Sequence, residues 1–374
     1  MTDPAPLPMA EARIALSHLE GNVRRIRQWT EGKTRIMAVV KANAYGHGAD
    51  RVAASLETAG ISDFGVANIQ EAMALRTGGG VRQQSAILAF SSPLVSQIES
   101  YLRYDIAMTL CSFEILHAAE ATAAANGKRL SVHVKTDTGM GRLGLPPAET
   151  MELLRAVRNS GYLDLKGVYT HFAEGSRPDG FTALQLDRFR ELVTQYESES
   201  CRTVCKHAAS SGAMLCRKDS WFDMVRPGIM LYGYLPDPVM ESSVPVVPVM
   251  QMEAKVVFVK TLDTGDTVSY NRTWTAPGPR RIATIAAGYA DGYPRSLSNR
   301  GTVVIGGKSC PQVGTVTMDQ IMVDLGTNSD VKIGDKAILF GWEGPSADDI
   351  ARITGSISYE VLCSVSNRVC RVFI

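Results

Sequence analysis

The spacing of apolar positions changes along the chain, and each change marks an element. Ile14, Leu16, Leu19, Val23 and Ile26 recur at near-helical spacing, which predicts a helix over 12–30. The next apolar run, 36–40, has no polar break and ends at Lys41, so it is too short for a helix and reads as a buried strand. From there the pattern alternates. Strand-like runs at 64–68, 86–90, 106–110, 130–135, 165–171, 204–207 and 224–226 are interleaved with helix-like segments such as 69–76, 113–126, 147–160, 184–197 and 211–217. With the lysine strand these make eight strands, each followed by a helix or short turn. Repeated βα units without hairpins imply a parallel sheet, and eight of them suggest closure into a (β/α)8, TIM-like barrel. An open, doubly wound α/β sheet is the alternative.

The pattern shifts again at 234–252, where Pro236, Pro238, Pro245 and Pro248 sit among few helix formers. That stretch reads as a domain junction. Beyond it, runs at 252–260, 267–270, 281–286, 302–305, 321–324 and 336–340 are separated by Gly, Pro and Asp turns, which predicts a mainly-β domain with a short helix at 348–354. The expected division is a barrel over 12–240 and a β domain over 241–374, with residues 1–11 left open as a possible addition to the second.

Composition narrows the class. The chain has 374 residues, a net charge of +1 and 45% hydrophobic residues, which suits a soluble two-domain protein and offers no field for nucleic acid or an acidic membrane. No apolar run is long enough to span a bilayer, and the N-terminus lacks a secretory pattern. Seven cysteines without a Cys-x-x-Cys pair read as reduced cytoplasmic thiols and not as a disulfide framework or a metal site. An enzyme of the cytoplasm fits these bounds, and so do many binding proteins.

Candidate chemistry gathers at the strand ends, where a barrel of this kind builds its site. Lys41, Lys135, His171, His207 and Arg226 each end or follow a predicted strand. A strand-end lysine commonly snorkels to water, and a lone strand-end histidine is commonly structural; five ionisable groups converging on one mouth argue for a site. A lysine fed from an apolar strand is partly desolvated, which favours the neutral amine needed for a Schiff base. After the seventh and eighth strands, Ser210-Ser211-Gly212 and Pro227-Gly228-Ile229 present small residues and free backbone N–H groups. Either piece alone could be an ordinary cap or turn; together they favour a phosphate. A lysine beside a phosphate site suggests pyridoxal 5′-phosphate (PLP).

Several segments resemble the motifs of alanine racemases. They are the segment Lys-Ala-Asn-Ala-Tyr-Gly-His-Gly from Lys41, Val-His-Val-Lys-Thr-Asp-Thr-Gly-Met-Gly-Arg-Leu-Gly at 132–144, and Val-Arg-Pro-Gly-Ile-Met-Leu-Tyr-Gly at 225–233. Ser-Tyr-Asn-Arg-Thr-Trp at 269–274, the stretch 288–295 and Met-Asp-Gln at 318–320 complete the set, in the family's order along nearly the whole chain. The resemblance implies an isomerase that interconverts L- and D-alanine through a PLP aldimine with two bases. Lys41 would serve the D face and Tyr270, from the partner subunit of a homodimer with shared sites, the L face. It implies supporting roles for Arg142, His171, His207 and Lys135, the last where many members carry a carbamylated lysine. A tyrosine ionises near pH 10, so Tyr270 would need cationic help, for which His171 and Arg142 match the family's groups. Arg226 would face the pyridine nitrogen with His207 behind it. Tyr45, Ser211, Gly228, Ile229 and Tyr359 would hold the phosphate, and Arg142, Met318 and Asp319 would line the substrate site. No metal is implied.

Three positions depart from the family pattern. Ser210 stands where Asn is usual, Asn271 where Gly is frequent, and Thr315 where an arginine is common beside the access path. The Thr315 change leaves open a racemase preferring serine or acting broadly on small amino acids. A decarboxylase of basic amino acids is opposed by Arg226, since such relatives place an acid there. A non-catalytic PLP-binding barrel is opposed by Tyr270 and the second domain.

Overall fold

A computed structural model describes residues 8–177, 179–238, 240 and 244–374. The N-terminal stretch read above for a secretory signal, and part of the proline-rich junction, lie outside the described residues. The first strand, β1 (Ala10–Ile14), belongs to the second domain's sheet. Helix Leu16–Trp29 follows, so the predicted helix begins four residues later than its apolar spacing suggested. Ala12 and Ile14 satisfy a period of two as well as one of 3.6, and pairing partners far along the chain decide for the strand.

Eight parallel strands then form the barrel: β2 (Arg35–Val39), β3 (Asp63–Val66), β4 (Ala86–Ala89), β5 (Ala107–Leu110), β6 (Leu130–Lys135), β7 (Leu163–Tyr169), β8 (Lys206–His207) and β9 (Met224–Val225). Neighbours pair in the order β8-β7-β6-β5-β4-β3-β2-β9. Closure between the two ends comes from Asp223 N–H donating to Lys206 O at 3.1 Å and Arg226 N–H donating to Ala209 O at 2.8 Å. The sheet is thus a barrel and not an open doubly wound layer. Helices Ala49–Thr58 and Ile98–Tyr104, which the sequence pattern did not single out, complete the outer ring. The strands are apolar on both faces because one face fills the barrel and the other packs under helices.

The second domain comprises β10 (Met250–Leu262), β11 (Thr267–Val268), β12 (Trp274–Thr275), β13 (Arg280–Ile285), β14 (Thr302–Ile305), β15 (Lys308–Val313), β16 (Ile321–Asp324), β17 (Lys336–Phe340) and β18 (Cys370–Phe373). The long β10 pairs with β1 and β17 through its first half and with β13 through its second, across a register shift between Val256 and Phe258. The ring β10-β13-β16-β15-β14-β17 closes on itself, with β1 and then β18 added at one side. Two helices, Ala347–Thr354 and Ser358–Ser364, precede β18.

The chain's last residues return to the barrel. Arg371 donates to Gly46 O at 3.0 Å and, from its other nitrogens, to the carbonyls of Ser366, Val369 and Val365. Replacing Arg371 by Met strands the carbonyls of Gly46, Val365 and Val369 in a half-buried seam, while Ser366 O keeps the Val369 N–H at 3.2 Å, and should cost about 2–4 kcal/mol. Denaturant unfolding of the variant reads this directly, and an unshifted midpoint would show that water satisfies those carbonyls equally well.

Candidate active site

The segment after β2 is the most unusual backbone in the molecule. Ala42, Asn43, Ala44 and Tyr45 take φ values of 52°, 53°, 54° and 53°, a full left-handed turn built without glycine. Such a turn costs roughly 1–2 kcal/mol per residue for L-amino acids, so side chains must hold it. Glu71 accepts the Ala42 amide at 2.8 Å and the Ala67 amide at 2.7 Å, tying the turn to the end of β3. Asn43 Oδ1 accepts the Ala49 amide at 2.8 Å. His47 is fully buried, and its Nδ1–H donates to Ala44 O and Tyr45 O, each at 2.9 Å. Burial lowers the His47 pKa to about 4, so it stays neutral and keeps that single proton on Nδ1.

The turn leaves the Lys41 amine in the recess at the barrel mouth. Lys41 retains access to solvent, yet the recess walls desolvate it and lower its pKa, with Arg142 adding to the effect and Glu71 opposing it. Arg142 sits just past a tight loop whose amides (Gly139, Met140 and Gly141) all donate to the Asp137 carboxylate at 2.8–2.9 Å.

Behind the lysine lies a buried cation without a carboxylate partner. Arg226 donates to His207 Nδ1 at 3.0 Å, Thr170 O at 2.8 Å, Ala208 O at 3.0 Å and His171 Nδ1 at 3.4 Å. Burial lowers its pKa to about 10, which leaves the guanidinium charged at neutral pH. Because guanidinium only donates, His207 must accept at Nδ1 and carry its proton on Nε2. That proton points to His133 Nδ1 at 2.9 Å, so the chain Arg226–His207–His133 has one consistent set of tautomers. Tyr169 stacks on His207 at 4.8 Å and shares its hydroxyl hydrogen bond with Thr109 at 2.8 Å. His171 falls to about pH 3 through burial and then the charges of Arg226, Arg142, Lys135 and Lys41. It is therefore a neutral acceptor, and the positive charge near it belongs to Arg226, Arg142, Lys135 and Lys41; the expectation of a cationic His171 is corrected. Lys135 is buried beside Thr136 O at 3.1 Å, and burial followed by Arg226 lowers it to about 8.

The two small-residue loops meet. Gly228 N–H donates to Ser211 Oγ at 2.9 Å, and a Cβ placed on Gly228 would lie 2.4 Å from the Tyr45 hydroxyl. Tyr45 is buried, its ring 4.7 Å from Tyr232 and 5.9 Å from Tyr359. Tyr45, Ser211, Gly228, Ile229 and Tyr359 thus gather around one edge of the mouth, with the Gly228 N–H bonded to Ser211 Oγ and no acid among them. Ser210 forms a parallel bridge with Arg226 and sits at the start of helix Ser211–Cys216.

Tyr270, Met318 and Asp319 lie elsewhere. Tyr270 is 68% exposed on a turn of the second domain, Met318 is 52% exposed, and Asp319 pairs with Arg368 at 2.8 Å. Among the described residues no hydrogen bond, ion pair or ring contact links them to Lys41. Thr315 is buried and bonded to the Tyr270 turn. The pattern reading missed Glu71, Asp137 and His133. His133 had a signal, since it lies two residues before Lys135 on one strand and so shares its face.

The buried imidazoles set the acid response. His133 and His171 are lowered to about 3, chiefly by burial, and His207 is lowered as well. In the unfolded chain they protonate near pH 6.5, so below that value the unfolded state binds more protons and stability falls with pH. Each group adds a slope of about 1.4 kcal/mol per pH unit once below its unfolded pKa. Unfolding free energies measured between about pH 7 and 5 should decline, and less steeply in His133→Gln; an equal slope would remove His133 from this account.

Comparison with known proteins agrees with this layout. The family descriptions "Alanine racemase, N-terminal domain" and "Alanine racemase, C-terminal domain" match residues 14–236 and 249–373. An alanine racemase of Chlorobaculum tepidum is 54% identical over 98% of this chain and 96% of its own length. The solved alanine racemase of Clostridium difficile superposes with a TM-score of 0.93 at 34% identity, covering 98% of this chain and 96% of that one. An alanine racemase of Bartonella henselae solved with covalently bound pyridoxal phosphate has a TM-score of 0.88 at 32% identity, covering 98% of this chain and all of that one. The two domain matches, 54% identity over nearly the full length of a relative and the shared architecture establish that the chain belongs to the alanine racemase family.

Proposed function

We propose that this chain binds PLP at the barrel mouth and racemises alanine with Lys41 and Tyr270 as the two bases. The observation that carries the reading is the convergence of a desolvated lysine, a cluster of uncharged donors and a buried arginine on one recess. A phosphate fits the donor set of Tyr45, Ser211, Gly228, Ile229 and Tyr359. The absent Cβ of Gly228 lets the Tyr45 hydroxyl reach this loop, since a Cβ there would lie 2.4 Å from it. PLP, when bound, supplies an electron sink for the charge left at Cα when a proton departs.

The protein's part is to hold the bases and limit where charge spreads. The Lys41 amine, with its lowered pKa, exchanges a proton on one face of Cα, and the Tyr270 hydroxyl does so on the other. Arg226, kept charged and fixed by its bonds to neutral acceptors, would leave the cofactor's ring nitrogen unprotonated and so favour return of the proton over other outcomes. His207 orients Arg226. Lys135, lowered to about 8, keeps a share of neutral amine of the kind carbamylation requires and stands beside Arg142, which with Met318 and Asp319 would contact the substrate carboxylate.

Tyr270 needs a second subunit to reach Lys41, and its exposure, with that of Met318, supports a homodimer with shared sites. We divide the chain near residue 240 and count Ala10–Ile14 with the β domain. We also place the protein in the cytoplasm; no helix among the described residues is long and apolar enough to cross a membrane, and the seven cysteines are free.

Incubation with L-alanine in D2O tests the reaction: loss of optical rotation with deuterium at Cα is expected. Exchange into L-alanine without inversion would leave Tyr270 standing as the L-face base and overturn Lys41 as the D-face base, and silence with every small amino acid would favour a carrier. Lys41→Ala and Tyr270→Phe should each lose racemisation by about 10³-fold or more. Mixing the two inactive variants should restore about one quarter of wild-type activity, because half the dimers are hybrids with one intact site each. No recovery on mixing would overturn the shared site.

A further inference from the structure

The turn that presents Tyr270 is strained and is held from one residue. Ser269 has φ 67° and ψ −174°, a region open essentially to glycine alone, and Asn271 and Arg272 follow with φ 62° and 50°. The turn's own backbone closes with a single bond, Arg272 N–H to Ser269 O at 3.3 Å. Its remaining support comes from Thr315, which is 5% exposed at the end of the neighbouring β15. The Thr315 hydroxyl donates to Tyr270 O at 2.9 Å, and Thr315 O accepts the Ser269 hydroxyl at 2.6 Å. With its single proton spent on Tyr270 O, Thr315 Oγ1 can only accept from Thr273 Oγ1 at 3.5 Å.

A rigid frame stands behind Thr315. Asn299 donates to Thr273 Oγ1 at 3.0 Å and accepts Gly314 N–H at 2.6 Å. Gln312, 1% exposed, accepts Asn299 N–H at 2.7 Å and donates to Gly314 O at 2.9 Å. Gly314 has φ +75°, and a Cβ there would come within 2.7 Å of Val268 O, so only glycine lets this segment press against the turn.

We propose that Thr315 is a positioning residue for the L-face base: its hydroxyl and carbonyl clamp the strained Ser269–Arg272 turn and so fix where the Tyr270 ring projects. The proposal rests on Tyr270 being that base. Removing the hydroxyl lets the turn relax toward ordinary backbone angles and carries the phenol away from its working position, while Lys41, in the other domain, keeps its place.

The test uses the holoenzyme of Thr315→Val and Thr315→Ser, with Tyr270→Phe as reference. Thr315→Val should slow α-proton exchange from L-alanine about tenfold while exchange from D-alanine, served by Lys41, stays near wild type. Thr315→Ser should restore the L-face rate. Independently of activity, amide hydrogen exchange of the segment 269–273 should speed up in Thr315→Val and return in Thr315→Ser, with the barrel peptides unchanged. Equal loss on both faces, or unchanged exchange at 269–273, would overturn the clamp. Retained L-face exchange in Tyr270→Phe would instead overturn the reading of Tyr270, whatever Thr315→Val does.

Discussion

A buried guanidinium with only neutral partners governs the barrel mouth. Arg226 is nearly inaccessible and meets two carbonyls and two imidazole nitrogens, with no carboxylate to balance it. A charge in that position repels other cations: Lys135 and His171 are both lowered, first by burial and then by Arg226, the largest charge acting on each. It also dictates hydrogen-bond polarity outward through His207 to His133, because a group that can only donate forces each successive ring into one tautomer. The recess that results is short of negative charge, which suits it to anionic ligands.

Backbone strain appears on both sides of the proposed chemistry, and both times side chains hold it. The Lys41 turn runs left-handed through four residues that carry a Cβ; Glu71 and His47 spend polar atoms on its amides and carbonyls, and Asn43 ties it to the first amide of the helix that follows. The Tyr270 turn is strained over fewer residues and rests on Thr315 and Ser269. In each case the strained turn aims one side chain, and the cost is offset by hydrogen bonds from a neighbouring element that has its own reasons to be rigid.

The second domain does more than carry Tyr270. Its terminal segment packs on the lysine turn, with Arg371 bonded to Gly46 O and the Arg51 guanidinium 5.0 Å over the Phe373 ring. β1, the first described strand, pairs with β10 and runs parallel to β18, so from β1 onward the described chain leaves the second domain's sheet, builds the barrel and returns. Neither pairing has a local signature. Short strands such as β18 are specified by the partners that bury them, and those partners lie hundreds of residues away.

The eight barrel strands were legible because a parallel strand buried on both faces is a continuous apolar run, and β6 was read to the residue. The residues at the strand ends followed from that alternation, since a barrel puts such ends on one rim. What the sequence by itself determined was therefore the barrel, the β character of the last third, and the set of groups that face one mouth. Tertiary structure decided the rest: the hand of the Lys41 turn, the neutrality of His171, the route from Arg226 to His133, and the clamp on Tyr270. Each of these depends on which polar atom lies within 3 Å of another across separate elements. Periodicity reports which face a residue occupies; a proton's position and a backbone's hand are set by the atoms waiting there.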